Sequence, residues 1–302
     1  MNMTTTPQSV KSATALSPKK HASPWLIAFK HFISNRQAVI SLSFILIVAL
    51  VCILAPLLTS NDPVKINLRL INKPPSAEHW LGTDKGGRDI LTRLLYGGQT
   101  TLLIAFSISF FVTTFGTFVG AVAGFYGGKI DSALMRFTDF VLIFPFLIFV
   151  IVLKTIFTES GVGILIFVIS VLSWGGAARL VRGKILSEKE NEYILSAISI
   201  GCSPFKVITK HLLPNVISTV IVQAILIIAS MIAAETGLSY LGFGVPANVP
   251  SWGNMMSDAI SPEVIKNQWW VWAPSGILIT GTILAINFVG EGLKIAFNPK
   301  KT

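Results

Sequence analysis

Residues 94–128 decide the fold class, and they read LLYGGQTTLLIAFSISFFVTTFGTFVGAVAGFYGG, without one charged side chain. A membrane-spanning helix needs about 20 mostly apolar residues, because the hydrocarbon core of a bilayer holds no water to satisfy its backbone. This run exceeds that requirement. Its centre, residues 100–125, is therefore predicted to cross a membrane.

Five further apolar segments predict a protein that crosses the membrane six times. Four of them are uncharged and span residues 38–58, 161–178, 216–234 and 271–290. The fifth, residues 134–157, is predicted to place Asp139 near one headgroup layer and Lys154 at the other, with a kink at Pro145. The predicted fold class is an all-α integral membrane protein with six transmembrane helices.

The composition agrees with this fold class. Hydrophobic residues make up 52% of the 302-residue chain and charged residues only 13%, whereas soluble domains carry about 25% charged residues. These values exclude a disordered chain and argue against a soluble domain. The net charge of +10 is assigned to loops that orient the spans, and nucleic acid is not predicted as a partner.

The positions of the basic residues predict that both termini lie in the cytoplasm. In that orientation 16 of the 24 Lys and Arg residues face the cytoplasm, and that side carries the whole excess charge. Cytoplasmic loops of membrane proteins are enriched in these residues. The first external loop is an exception, because it holds six basic residues.

The N-terminal region is predicted to contain a flexible tail, residues 1–23, and then a short helix. Trp25, Phe29 and Phe32 recur at helical spacing, with Lys30 between them. These residues form either an amphipathic helix on the inner membrane surface or a cytosolic extension of the first span. The sequence leaves both alternatives open.

Three glycines in the second span predict close helix packing. Gly116, Gly120 and Gly124 stand at four-residue intervals. Small residues one turn apart let a neighbouring helix approach closely, which is how helices in lipid gain packing energy. This span is therefore predicted to be central to the bundle.

No catalytic or metal-binding constellation is present in the sequence. All four histidines fall outside the spans, and the two cysteines lie in different surroundings. Residues 237–242 have the wrong spacing for a nucleophile elbow and are predicted to form a glycine-rich loop. There is no phosphate-binding G-x-x-x-x-G-K-[ST] motif, so any nucleotide that powers the protein binds another polypeptide.

The spans also lack an obvious ion relay. Ionisable residues near the spans are all predicted at span ends: Asp139, Lys154, Glu235 and Glu291. A carrier that moves protons or sodium by itself would be expected to bury such groups at mid-membrane. The pattern favours an externally driven bundle, and a stand-alone secondary transporter or channel remains the alternative class.

The polar connection at residues 179–215 is predicted to form two short helices. The first begins at Glu192 and ends at Gly201, because glycine accepts a left-handed C-cap conformation best. Ser203 and Pro204 then start a second helix, which is predicted to stop by Pro214. Such a unit suits the docking of a partner, whereas a solvated loop is the simpler alternative.

Two motifs in this chain resemble those of a known family. The polar connection contains Glu192-Tyr193, Ala197, Gly201, Ser203 and His211-Leu212-Leu213-Pro214-Asn215, and residues 81–89 contain Gly82, Thr83, Asp84, Gly87, Arg88 and Asp89. They resemble the EAA loop and the G-T-D-x-x-G-R-D signature of ABC importer permeases of the dipeptide, oligopeptide and nickel family. The resemblance covers nearly the whole chain, including residues 250–253 and 298–300. One departure is Leu195, which stands where the family has the acid of Glu-Ala-Ala.

The resemblance implies a type I ABC importer permease fold and several partner subunits. A second, homologous permease would complete a heterodimeric path, and an extracytoplasmic solute-binding protein would deliver peptide to it. Two cytoplasmic ATPases would bind ATP and Mg, while this chain would bind no cofactor and no metal. Within the family, nickel or a metal chelate is the alternative substrate.

The resemblance also implies roles for individual residues. The ATPase-docking set is Glu192, Tyr193, Ala197, Gly201, Ser203, Leu213 and Pro214. Gly201 is assigned to the turn, Ala197 to close approach, and Leu213 with Pro214 to fixing the loop, whereas Glu192 is more readily explained as a solvated acid. The motif at 82–89 is predicted to form an ion-paired cap, with contact to the binding protein as the alternative.

The predicted organisation has four parts. They are a tail at 1–23, an N-terminal segment at 24–75, a five-helix permease core at 98–290 containing the coupling loop at 179–215, and a cytoplasmic tail at 291–302. The whole protein is predicted to lie in the cytoplasmic membrane, in contact with lipid. It is not predicted to be an enzyme.

Overall fold

The computed structural model describes residues 24–157 and 161–297, which are mostly helical and contain no β-strand. The helices are α1 Pro24–Ser34, α2 Arg36–Ile53, α3 Ala55–Leu58, α4 Ile90–Tyr126, α5 Gly128–Ile143, α6 Phe146–Ile156, α7 Val162–Lys189, α8 Glu192–Ser199, α9 Pro204–Val207, α10 Leu213–Tyr240, α11 Trp252–Ser257, α12 Pro262–Asn267 and α13 Trp269–Phe297. Short 3₁₀ turns lie at Leu68–Leu70 and Asp258–Ile260. The predicted tail at 1–23 and the motif at 298–300 lie outside the described residues.

Among the described residues, five helices are long and apolar enough to cross a membrane, or six if one bent pair counts as a single span. The five are α2, α4, α7, α13 and the continuous helix from Pro204 to Tyr240. The bent pair is α5 with α6, whose axes differ by 79°. The kink expected at Pro145 is present, and it is sharp enough to divide the third predicted span into two helices. Phe144 is extended (φ −70°, ψ 128°), because a residue before proline is disfavoured in the helical region.

The predicted stop at Pro214 is wrong, because α9 runs into α10 through a π-helical turn, Ile208–Leu212. In this turn the Leu213 N–H donates to the carbonyl of Ile208, five residues back. Proline has no N–H to donate and its ring crowds the preceding turn, and a wider π turn makes room for it. The predicted second loop helix is thus the first part of a 37-residue helix.

The first two helices are separate, which excludes a continuous extension of the first span. Asn35 is extended and its side chain caps α2 by accepting a hydrogen bond from the Ala38 N–H at 3.1 Å. Ala28 and Phe32 of α1 are buried, and Trp25 meets Phe297 of α13 edge-to-face. That the exposed side of α1 lies on the membrane surface stays a prediction.

Three further boundaries differ from the sequence prediction. Helix α13 continues to Phe297, so residues 291–297 are helical and not a tail. Helix α10 continues to Tyr240, so most of the expected glycine-rich loop is its last turn. Helix α7 extends to Lys189, which shortens the polar connection. In each case polar residues extend the helix beyond its apolar core.

One end of the bundle, called the loop end, carries residues 54–89 and 241–268. The other end, called the α8 end, carries α1, α8 and α9. Helices α4 and α7 run parallel between them, and the three glycines of α4 lie against α7. A side-chain carbon on Gly120 would lie 2.5 Å from the carbonyl oxygen of Ala178. The predicted central position of this span is confirmed by its contacts with α2, α7 and α10.

Candidate functional site

Helix α8 ends in the turn that the sequence predicts. Gly201 has φ +83°, and its N–H donates to the Ile198 carbonyl at 3.0 Å. The N–H of Cys202 donates to the Ala197 carbonyl at 3.1 Å. This pair of bonds is a Schellman motif, in which a left-handed residue satisfies the last carbonyls of a helix. Ser203 and Pro204 occupy the first positions of α9 as predicted, although the Ser203 side chain makes no capping hydrogen bond.

One face of α8 is held in the bundle by apolar contacts. Ile194 is buried in a cluster with Ile185 of α7 and with Val207 and Leu212 of the following turns, and Ala197, one turn further along α8, is also buried. Leu213 packs against the same cluster, and Pro214 is exposed. The loop is therefore anchored on both α7 and α10, and it is not a merely solvated connection.

The flank of α8 beside this buried face and the tip of α9 expose large apolar side chains. Leu195 is 50% exposed, Ile200 80% and Phe205 77%, and Ile198 lies beside them. These four residues are called the apolar patch below. Exposed apolar side chains at one end of the bundle, on a loop between two spans, indicate a surface that another protein covers.

A polar bridge centred on Tyr193 joins three helices. The Tyr193 hydroxyl donates to Glu188 Oε2 of α7 at 3.1 Å and accepts from Asn215 Nδ2 of α10 at 2.9 Å. Asn191 Nδ2 also donates to Glu188, at 2.8 Å. Partial burial and then the bond to Glu188 raise the pKa of Tyr193 above its ordinary value. The sequence includes Tyr193 and Asn215 in the motif but does not indicate that they meet.

Glu192 stands in the first turn of α8 and is exposed, without a hydrogen bond or ion pair to another described residue. An acidic side chain at a helix N-terminus is favourable by itself, because the helix dipole is positive there. The simpler interpretation, in which Glu192 is only solvated, therefore requires no partner residue within this chain. The assignment of Glu192 to ATPase docking stays a prediction.

At the loop end, Asp84 is the centre of a compact network. Its Oδ1 accepts from the backbone N–H groups of Gly86 at 2.8 Å and Arg88 at 3.0 Å, and its Oδ2 accepts from Arg88 Nε at 2.8 Å. Arg93 Nε lies 3.4 Å from the same oxygen. Because Asp84 and Arg93 are buried, these charges stabilise the loop only as a fully paired set.

The rest of the signature motif connects this network to α4. Asp89 caps α4 by accepting from the Thr92 N–H at 2.7 Å, and His79 Nδ1 lies 2.8 Å from its other oxygen. Thr83 donates to the Leu70 carbonyl. Gly87 has φ +67°, and a side-chain carbon there would lie 1.9 Å from a backbone oxygen. The structure thus brings all six signature residues, Gly82 among them, into one folded unit.

Two ion pairs that the sequence does not reveal fasten α5 to α7. Arg182 Nε and Nη2 donate to the two carboxylate oxygens of Asp131 at 2.5 and 2.6 Å. Arg179 Nη2 donates to Asp139 at 2.5 Å. The partners lie 40 and 51 positions apart in the sequence, so only the packing of the helices brings them together. Within residues 24–157 and 161–297, no three His, Cys, Asp or Glu side chains group to hold a metal ion.

Long apolar helices with a structured loop at each end define a polytopic membrane protein. Residues 116–302 match the family described as binding-protein-dependent transport system inner membrane component, and residues 23–75 match the N-terminal TM domain of oligopeptide transport permease C. This chain belongs to that transport family. It is a non-catalytic permease subunit of an ABC importer, which works with ATPase and binding-protein partners.

Several named relatives align with most of this chain. The dipeptide transport system permease protein DppC of Bacillus subtilis is 36% identical over 273 residues, which cover 90% of this chain and 85% of the relative. The oligopeptide transport system permease protein OppC of Lactococcus lactis subsp. cremoris is 37% identical, covering 86% and 89%. OppC of Bacillus subtilis is 35% identical, covering 93% and 92%.

Proposed function

We propose that this chain forms the membrane path of an ATP-driven peptide importer, together with a second, homologous permease. The relatives above are named for dipeptide and oligopeptide transport, and they align with this chain almost end to end. Those names favour peptides over nickel or a metal chelate. An extracytoplasmic binding protein delivers the peptide to the loop end of the bundle.

We propose that six spans cross the cytoplasmic membrane, with the bent pair α5 and α6 as the third. Six crossings put both termini on one side. The excess of basic residues at the α8 end assigns that side to the cytoplasm, because cytoplasmic loops are rich in Lys and Arg. The loop end then faces outward, where a binding protein can reach it.

We propose that the apolar patch on α8 and α9 docks one of two ATPases. The observation that carries this proposal is the division of α8 into a face buried against α7 and α10 and a face exposing Leu195 and Ile198. A partner on the exposed face can push both helices through the buried one. The Tyr193 bridge strengthens this connection with hydrogen bonds to the same two helices.

In this arrangement the chain needs no cofactor of its own, since ATP and Mg belong to the ATPases. A nucleotide-driven change in the ATPase pair shifts α8, and the bundle passes between inward-facing and outward-facing states. The signature motif at residues 82–89 has a structural role, because its charged groups bond mainly to one another and to the start of α4. It holds the outer loop in one shape.

Replacement of Gly201 tests the docking assignment. Gly201→Val forces a β-branched residue into a left-handed conformation, whereas Gly201→Asn places there the residue that tolerates it best. We expect the valine variant to insert in the membrane but to lose ATPase co-purification and peptide uptake, and the asparagine variant to keep both. Unchanged uptake with valine would contradict the docking role. Uptake by the chain in liposomes without ATPases would instead indicate a stand-alone transporter.

A further inference from the structure

A hydrogen-bond cluster surrounds Glu235 near the end of α10, and the function proposed above does not use it. The Glu235 side chain is 0% exposed. Its Oε1 accepts from Ser239 Oγ at 2.7 Å and from Ser251 Oγ at 3.1 Å, and its Oε2 accepts from Thr101 Oγ1 at 3.5 Å. Burial of a carboxyl group is costly unless such bonds satisfy it. The sequence indicates only that Glu235 lies near the end of a span.

Each of these hydroxyl groups also holds a backbone N–H of residues 245–254. Ser239 Oγ accepts from Val245 at 3.2 Å, Thr101 Oγ1 from Trp252 at 3.1 Å, and Ser251 Oγ from Asn254 at 3.0 Å. A hydroxyl has one proton to donate and lone pairs with which to accept. Because the three protons point to Glu235, the lone pairs are free for the backbone.

The segment fits its place closely. A side-chain carbon on Gly253 would lie 2.8 Å from Glu235 Oε1, and one on Gly244 would lie 2.0 Å from Ser239 Oγ. Trp252 is fully buried, and its Nε1 donates to the Leu94 carbonyl of α4 at 2.9 Å. Residues 244–254 therefore rest directly on α4 and α10.

The helix that carries Glu235 begins within the coupling loop at residues 179–215. Residues Pro204–Tyr240 form one continuous helix, about 55 Å long at 1.5 Å per residue. Its first turns pack with α8, and its last turns hold the cluster around Glu235. One continuous helix thus connects the apolar patch with the loop end.

We propose that Glu235 is a positioning residue that fastens residues 244–254 to α10 and α4. When α10 is displaced at the coupling loop, residues 244–254 at the loop end then move together with it. Without Glu235 the three hydroxyl protons lose their acceptor, and the segment separates from the helix that should carry it. This role rests on the proposed importer function, and it adds the means by which the distant end responds.

Two variants of the assembled importer in liposomes test the proposal by the number of peptides imported per ATP hydrolysed. Glu235→Ala removes the acceptor, and we expect this ratio to fall on the order of tenfold while ATP hydrolysis continues. Glu235→Gln keeps the size of the side chain and one carbonyl oxygen that can accept from Ser239 and Ser251, and its NH₂ can donate to Thr101 Oγ1, so we expect it to stay within about twofold of the natural chain. Glu263→Ala is the matched control, because Glu263 is exposed and accepts only from Asn267, on its own helix.

Hydrogen exchange gives a readout that does not depend on transport. The amides of Val245, Trp252 and Asn254 should exchange on the order of tenfold faster in Glu235→Ala and at the natural rate in Glu235→Gln. If Glu235→Ala does not assemble, Ser251→Ala removes a single hydroxyl and should shift both measurements in the same direction by less.

An unchanged ratio or unchanged exchange in Glu235→Ala would overturn the proposal. Equal loss in the alanine and glutamine variants would overturn it too, because the charge and not the hydrogen bonding would then matter. A natural chain that imports no peptide would refute the proposed function, while the exchange rates would still decide whether Glu235 fastens the segment.

Discussion

Leu195 occupies the position at which the family's loop carries an acid, and its side chain is half exposed on the apolar patch. If the apolar patch docks the ATPase as proposed, the contact at this position is apolar and not ionic. Apolar contacts gain their energy from surface removed from water and do not depend on charge. The departure from the loop that this chain resembles would therefore change the chemistry of the proposed docking and leave the exposed surface in place.

This substitution predicts that ATPase association is insensitive to salt. Contacts between exposed charges are screened at about 1 M salt, where the Debye length is about 3 Å, whereas an apolar contact persists. We expect co-purification of the ATPase with the permease to be the same at about 0.1 M and about 1 M salt. Leu195→Ala should weaken it on the order of tenfold, and Leu180→Ala on α7 serves as the control. Loss of the ATPase at high salt would show that docking is ionic.

Single residues show how far sequence reasoning reaches. The position of Gly201 was predictable, because a left-handed helix end depends on local sequence. The surroundings of Glu235 were not, because its bonding partners Thr101 and Ser251 lie 134 residues before it and 16 after it. Asp131 and Arg182 are a similar case, since each is an ordinary loop charge until α5 and α7 pack together.

At the scale of elements, the interface of α4 with α7 depends on the missing side chains of three glycines. Side-chain carbons at Gly116, Gly120 and Gly124 would each approach α7 atoms to within 3 Å. In lipid, close backbone approach supplies packing energy that the hydrophobic effect cannot. The four-residue spacing predicted this groove, but only the structure identifies α7 as the helix that fills it.

Gly120→Ala tests the interface. The added carbon would lie 2.5 Å from the Ala178 carbonyl, so the helices must separate, and we expect a loss of stability of about 1–3 kcal/mol. Gly176→Ala on α7 is the matched control, because no atom lies within 4 Å of its added carbon and alanine favours the helix. Thermal unfolding in detergent measures both. Equal stability of the two variants would show that the contact is not tight.

The kink expected at Pro145 is present, whereas the helix end expected at Pro214 was wrong, because it depends on contacts with other elements. The bend at Pro145 and the continuation through Pro214 have opposite outcomes from the same residue type. At Pro145 the preceding residue is extended and the helix breaks, whereas at Pro214 a π turn anchored on α7 and α8 carries the helix through. Proline alone predicts a local disturbance, and the packing decides whether the helix survives it.

For the whole molecule, the number of spans decides whether the two chain termini lie on the same side of the membrane. The proposed orientation predicts that α1 faces the cytoplasm and that the first external loop faces outward. Lys30→Cys and Lys65→Cys, in a background without Cys52 and Cys202, place one exposed thiol at each end. A membrane-impermeant maleimide should label Lys65→Cys in intact cells and Lys30→Cys only in inside-out vesicles. The reverse labelling pattern would show that the orientation is opposite to the one proposed.

The bend between α5 and α6 has a consequence for how this protein enters the membrane. The two halves have 16 and 11 residues, about 24 and 17 Å of helix, and neither alone crosses a hydrocarbon core of about 30 Å. Five helices are long enough to cross singly, but neither half of this pair is. In the proposed topology we therefore expect insertion of the pair to depend on α7, whose arginines Arg179 and Arg182 pair with the acids of α5. The side of the membrane on which the C-terminus ends would then depend on a helix that is synthesised after the pair.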